Sequence, residues 1–201
     1  MRAMLALVIL ALLLPIGTSA PSGIGTSADD GCLCHGEKNS DTSILVTGLP
    51  EFFESNTTYN FSVEVTSENI PMDSGKPAGG FRILISNGMV TFNDEEGLIQ
   101  KKDGGWTHTA AGNTLRMWNF SFTSPMDNST YVDFTIHVNA VNGNQASSGD
   151  EWNGLTIRLP GTQYDGEMLS NQAKHFAPTD YVVGIVSLLA LVSIMAITLR
   201  D

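Results

Sequence analysis

The chain reads as an all-β protein, an antiparallel β-sandwich with a leader in front and a spanning helix behind. Three observations carry this reading. Apolar and polar residues alternate in segment after segment between residues 44 and 160, the period-2 pattern of half-buried strands. Gly, Pro and Asn punctuate those segments, as turns between short strands require. No long stretch outside the two ends has helical spacing.

The leader comes first. Arg2 precedes an apolar run from Ala3 to Ile16, which ends in Gly17-Thr18-Ser19-Ala20. A charged start, a short apolar core and a small-residue exit make a secretory signal peptide over residues 1–20. Cleavage is expected after Ala20, with Ala28 as second choice. Lipid attachment at Cys32 does not fit. That cysteine lies far beyond the apolar core and follows Asp29-Asp30-Gly31 rather than small apolar residues.

Residues 21–43 are rich in Gly, Ser, Asp and Asn and read as an extended lead-in. The sandwich is expected over residues 44–160. Ile44-Leu45-Val46 opens it. Tyr59, Phe61, Val63 and Val65 alternate with Asn60, Ser62 and Glu64. Phe81 to Ile85 follows Gly79-Gly80, and Met89 to Phe92 follows Asn87-Gly88, a dipeptide that predicts a hairpin. Trp118, Phe120 and Phe122 share one face, as do Val132, Phe134, Ile136, Val138 and Ala140. Leu155, Ile157 and Leu159 form the last strand.

Residues 161–180 read as a linker. Tyr181 to Leu199 then runs for about 19 residues without a charge, roughly 28 Å as a helix and close to the hydrocarbon thickness of a bilayer. Arg200 closes it, a weak positive-inside signal. The expectation is a single-pass protein of the cell membrane with its sandwich outside the cell.

Charge and motifs narrow the function. With 21 acidic against 10 basic residues the chain carries a net charge of −11, a balance that repels nucleic acid. No G-x-S-x-G, H-E-x-x-H or phosphate-binding loop occurs, so no enzyme is expected. The chemistry sits in Cys32-Leu33-Cys34-His35, which holds both cysteines of the chain. Cys-x-x-Cys-His would attach a c-type haem, with the histidine as an axial iron ligand. This run has one residue fewer. Two thiols beside an imidazole also suit copper or zinc, and two close cysteines outside the cell suit a strained disulfide.

Other candidates are single residues or loops. His108, after Gly104-Gly105, is a candidate second axial ligand. His137 alternates onto the polar face of its strand and reads as solvated, as does His175. Asn142, Asn144 and Asp150 form an oxygen-rich loop that could bind calcium, although such residues also build turns. Four N-x-S/T sequons, at Asn56, Asn60, Asn119 and Asn128, are glycosylation candidates on an exported domain.

Taken in order, these pieces resemble a known family. Gly31-Cys32-Leu33-Cys34-His35-Gly36 leads in, and Gly79-Gly80-Phe81 opens a middle strand. Thr107-His108-Thr109, Trp118 and Ser124-Pro125 follow. Asn139-Ala140-Val141-Asn142-Gly143-Asn144 and Ser148-Gly149-Asp150 come last. The run from about residue 30 to 160 resembles the Reeler-like "choice-of-anchor V" domains of microbial surface proteins. The resemblance implies an immunoglobulin-like (Reeler-like) sandwich, export and variable C-terminal anchoring. Many relatives carry Cys-x-x-Cys-His, and archaeal members are similar to this chain in having the shorter form. It implies a haem position at Cys32, Cys34 and His35, and a structural role for His108.

Two functions follow as expectations. One is a haem- or metal-binding redox module that meets an electron-transfer partner. The other is a non-catalytic adhesion or ligand-binding domain for a surface protein or glycan. There the two cysteines are a structural or redox-labile pair, and no cofactor is held.

Overall fold

The structure is a computed structural model that describes residues 20–35, 38–73, 75–144, 146, 148–167, 186–188 and 190–196. The chain divides into two units. Gly17–Leu169 is the folded domain; Met1–Ile16 and Ser170–Asp201 make up the other. In the second unit, residues 186–188 and 190–196 are helical.

A single-pass location is overturned: among the described residues no helix is long and apolar enough to cross a membrane. The described helical stretch reaches roughly 16 Å, about half the hydrocarbon thickness. The rest of Tyr181–Leu199, the linker beyond residue 167 with His175, and leader residues 1–19 lie outside the described residues.

The domain has nine strands: β1 (Thr42–Thr47), β2 (Thr58–Ser67), β3 (Gly79–Ile85), β4 (Met89–Thr91), β5 (Ile99–Lys102), β6 (Gly105–His108), β7 (Met117–Thr123), β8 (Tyr131–Ala140) and β9 (Glu151–Pro160). They form a four-stranded sheet in the order β1-β2-β7-β4 and a five-stranded sheet in the order β5-β6-β3-β8-β9. All named pairings are antiparallel. The all-β, two-sheet expectation therefore stands.

Alternation builds the core as the sequence implies. Phe61, Val63, Trp118, Phe120 and Phe122 of the first sheet pack against Phe81, Ile83, Phe134, Ile136 and Val138 of the second. Ring pairs tie the two layers: Phe81 to Trp118 at 4.7 Å, Phe122 to Phe134 at 5.0 Å and Phe81 to Phe120 at 5.5 Å between centroids. Each such pair adds about 0.5–1.5 kcal/mol beyond the area it buries.

Two local expectations fail for physical reasons. Asn87-Gly88 does not close a hairpin. β3 pairs with β6 and β8, while β4 crosses to the other sheet and pairs with β7. Gly88 still serves a turn, at φ +81°, but a Cβ there would lie 2.6 Å from the Phe122 ring. Its turn chemistry is spent on bringing Val90 over Phe122, its register partner, rather than on folding β4 back along β3. The hairpin that does form joins β5 to β6. It turns at Asp103 and Gly104, both at positive φ, the backbone a two-residue hairpin favours. Its strands are four residues each and largely polar, too short for alternation to reveal.

The outer face of the five-stranded sheet is also not solvated as alternation suggests. The lead-in docks across it as an arm. Arg82, fully buried, donates through Nε to Asp29 Oδ1 at 2.8 Å and through its terminal nitrogens to the Lys102 and Asp103 carbonyls at 2.6 and 3.0 Å. Ile24 N–H donates to Thr107 Oγ1, and Lys102 Nζ donates to the Gly23 carbonyl. Gly31 lies against Trp152, where a Cβ would come within 2.4 Å of the indole. His137 is half-buried, with its Nε2–H donating to the Asp29 carbonyl at 3.0 Å and its ring edge against Trp152.

Two predictions follow from this docking. Arg82→Met leaves the Asp29 carboxylate and two carbonyls without their donor. Loss of a buried charged partner costs about 3–5 kcal/mol. The denaturation midpoint should fall accordingly, and limited proteolysis should cut within residues 20–40. An unchanged midpoint and an uncut arm would refute this anchoring.

The second prediction concerns pH. Burial holds the His137 imidazole below its ordinary value and outweighs the Asp29 carbonyl bond, which pulls the other way. Lys38 adds to the lowering; Asp30 and Asp29 oppose it. The folded domain therefore holds His137 neutral where the unfolded chain protonates it. Its contribution to stability is complete above about pH 6.5 and is lost as pH falls below that value toward the folded pKa. His108, also lowered chiefly by burial, has the same sign. His137→Gln, which keeps a donor for Asp29, should make the fall in Tm between about pH 6.5 and pH 5 shallower. Parallel Tm profiles would count against it.

Candidate functional site

The cysteine motif lies on the last turn of the arm. Leu33–His35 is a short 3₁₀ helix, closed by His35 N–H donating to the Cys32 carbonyl at 2.9 Å. Residues three apart eclipse in such a turn, while residues two apart diverge. Cys32 and His35 thus share a side and Cys34 turns away. Cys32 is buried at 8 % exposure, and Cys34 is exposed. Both thiols are free. Both also border one cavity of about 420 Å³, Cys32 in its wall and Cys34 at its rim. That volume is in the range of small-ligand and cofactor sites.

The cavity sits at one end of the sandwich, between the arm and the β3, β6 and β8 termini. Ile24, Leu33, Phe81 and Val141 give it apolar walls, and His35, His108, Asn113, Asn139 and Asp150 its polar groups. The structure thus brings Cys32, Cys34, His35 and His108 to one place. Gly80 makes the approach possible. A Cβ there would lie 2.6 Å from His108 Cε1 and 2.7 Å from Asn139 Oδ1.

The hydrogen bonds assign opposite tautomers to the two histidines. His35 Nδ1–H donates to Asp150 Oδ2 at 2.8 Å, and His35 Nε2 accepts from the Asn139 side-chain amide at 3.2 Å. Asp150 is itself fixed by the Asn142 N–H on its other oxygen at 2.9 Å, with its side chain only 3 % exposed. A carboxylate on Nδ1 that leaves the Nε2 lone pair available is the arrangement found behind metal-ligating histidines. His108 is the reverse. Its Nδ1 accepts the Phe81 N–H at 3.1 Å, so its Nε2 carries the proton and donates to the Ala20 carbonyl at 3.3 Å. The Thr107 hydroxyl nearby gives its proton to the Phe81 carbonyl. His108 is the last residue of β6 and is buried. Burial pushes its pKa down more than those two backbone bonds raise it, so it is neutral. In this arrangement His108 offers a hydrogen-bond donor rather than a ligand lone pair.

Burial, with Cys34 adding to it, pushes the Cys32 thiol up to about 12. A soft-metal site needs thiolates. Among the described residues no group of three or more His, Cys, Asp and Glu side chains is placed to hold a metal ion. The oxygen side chains considered for calcium serve the loop itself. Asn142 Oδ1 accepts from Asn144 N–H, Asn144 Oδ1 from Ala146 N–H, and both amides donate to the Ser148 carbonyl. Asp150 is engaged by His35 and Asn142. Sequence reasoning missed Asn139, Asp150 as a partner of His35, and Phe81. The separation of 115 positions between His35 and Asp150 left no local signal for their pairing.

No family model and no curated protein matches the chain. Among solved structures it is similar to the human F-spondin reeler domain at 16 % identity and a TM-score of 0.41, covering 63 % of this chain and 92 % of that one. A conjugative transposon lipoprotein from Bacteroides eggerthii DSM 20697 matches at 11 % identity and a TM-score of 0.38, over 60 % and 98 % of the two chains. AggA, the major subunit of an Escherichia coli aggregative adherence fimbria, matches at 16 % identity and a TM-score of 0.35, over 63 % and 98 %. Likenesses this distant carry no argument about what the chain does.

Proposed function

We infer that the domain is an exported, non-catalytic redox module that holds a c-type haem through Cys32, Cys34 and His35. One observation carries the reading. Both thiols and the oriented imidazole of His35 border a single apolar-walled cavity of about 420 Å³, and Asp150 fixes that imidazole with Nε2 as its free-electron-pair nitrogen. Cys32 and Cys34 would supply two thioether bonds and His35 would bind the iron, with the apolar walls keeping the group dry; Cys34, which turns away from Cys32 and His35, would swing back to reach it.

A haem so held supplies reversible one-electron transfer, with its potential set by axial ligand, burial and hydrogen bonding. The chain's own residues do the rest. Asp150 holds the His35 tautomer and the orientation of its ring. The Asn139 amide, which covers Nε2, would have to give up that contact for His35 to bind the iron. His108 stands in the cavity wall with its Nε2–H on the Ala20 carbonyl. Phe81, Ile24 and Val141 keep water from its apolar side. Cys34, exposed at the rim, marks the edge through which a redox partner would exchange electrons. The leader read over residues 1–20 delivers the domain to the compartment where such attachment takes place.

The competing reading is a non-covalent binding or adhesion domain that uses the same cavity. The two separate in one experiment. The full chain is produced together with a c-type haem maturation system, and its mass and pyridine haemochrome spectrum are recorded. The expected result is a coloured protein heavier by one haem. Cys32→Ser and Cys34→Ser should each shift the haemochrome band toward that of a single thioether, and the double variant should be colourless. His35→Ala should retain the covalent mass but change the spin state. A colourless wild-type protein of polypeptide mass refutes the haem reading and leaves the cavity to a non-covalent ligand.

A further inference from the structure

A second groove, of about 470 Å³, is bordered by Asn60, Ser62, Asn119 and Ser121 of the four-stranded sheet and by Leu98 and Ile99 where the chain enters β5. Its floor is made by β2 and β7 and its wall by Phe92, Asn93 and Glu96 after β4. The floor holds two of the four sequons, and both read Asn-Phe-Ser: Asn60-Phe61-Ser62 on β2 and Asn119-Phe120-Ser121 on β7. A sequon puts its Asn and its hydroxyl two residues apart, which is the repeat of a strand. Both Asn and both Ser therefore face outward. Phe61 and Phe120 face inward, where they stack at 5.1 Å.

The register interlocks the two motifs. Asn60 is paired with Ser121, and Ser62 with Asn119. The asparagines are diagonal neighbours, about 7–8 Å apart by sheet geometry. Both are exposed. Ser121 Oγ–H donates to Asn60 Oδ1 at 2.7 Å, which turns that carbonyl across the face toward β7 and leaves the amide nitrogen outside this bond. Asn128 differs. It is half-buried, and its amide donates to Thr162 Oγ1 at 2.8 Å. Asn56 is exposed but does not border the groove.

We propose that Asn60 and Asn119 both carry N-linked glycans, whose first sugars lie side by side along this groove against Phe92 and Glu96. In each attachment the Asn amide nitrogen forms a bond to the anomeric carbon of a sugar carried as a lipid diphosphate. The bond from that carbon to the diphosphate oxygen breaks, the lipid diphosphate leaves, and the amide proton passes to a base. Phe92 packs against the core but is only half-buried, so part of its ring is left for the C–H face of a sugar, and Glu96, whose Oε1 accepts from the Asn93 amide, has its second carboxylate oxygen for a sugar hydroxyl. The outer face of β2 and β7 is then the shielded face of the domain, and the arm-covered sheet is left for contact with partners.

The test is glycopeptide mass spectrometry of the full-length protein isolated from its native cells. Sugar is expected on Asn60 and on Asn119, with Asn128 unmodified. Asn60→Gln and Asn119→Gln should each remove the mass of one glycan. Amide hydrogen exchange across residues 92–98 should be slower in the glycosylated protein than after enzymatic release of the glycans. A native mass equal to that of the polypeptide, or sugar at Asn128 with none at Asn60 and Asn119, overturns the assignment. Equal exchange before and after release overturns the placement of the sugars in the groove.

Discussion

The site depends on one buried cation. Arg82 stands on the outer face of the five-stranded sheet, where alternation alone would leave it in water, and its guanidinium collects Asp29 and two carbonyls of the β5–β6 turn. Asp29 belongs to the arm, so this cluster ties the arm to the sheet three residues before the first cysteine. Desolvating such a charge costs several kcal/mol unless every donor is matched. The match here comes from two separate elements at once. The arm has no apolar stripe of its own long enough to hold it down. Its position rests on this cluster, on Trp152 and on a series of backbone bonds, and the cavity exists only because the arm forms one of its walls.

Much of the fold was legible because it is written at short range. The runs 59–65, 118–122 and 132–140 show their inward faces directly, and they became β2, β7 and β8. What failed was pairing. Asn87-Gly88 announces a turn but not which sheet the next strand joins, and the answer lay with Phe122, more than thirty positions on. The β5–β6 hairpin was hidden because four-residue polar strands leave no period to count. His137 looked solvated because alternation describes one sheet and cannot see a lead-in folded over it.

The candidate site divides in the same way. Cys32, Cys34 and His35 are adjacent and could be found by eye. The groups that decide their chemistry, Asp150 and Asn139, lie more than a hundred positions away. The two histidines show why that matters. Equal as letters, they differ in which nitrogen carries the proton, and the difference comes from their partners. A carboxylate on Nδ1 leaves His35 with Nε2 as its acceptor nitrogen, and a backbone N–H on Nδ1 leaves His108 with Nε2 as its donor. Asn142, Asn144 and Asp150 suggested a cation, but their side-chain oxygens accept from Asn144 N–H, Ala146 N–H, and Asn142 N–H and His35, bonds that hold the loop and Asp150 itself.

The placement of the motif on an arm also has a consequence for the order of events in folding. All three groups that would engage a haem lie within four consecutive residues, so they can be engaged while the chain is still open. The contacts that close the site span 53 to 115 positions, and such distant closures come late because loop entropy must first be overcome. Attachment is local and enclosure is remote. On the haem reading, a nascent chain would be loaded on a free arm, and the sandwich, once formed, would shut the arm down over what it had received.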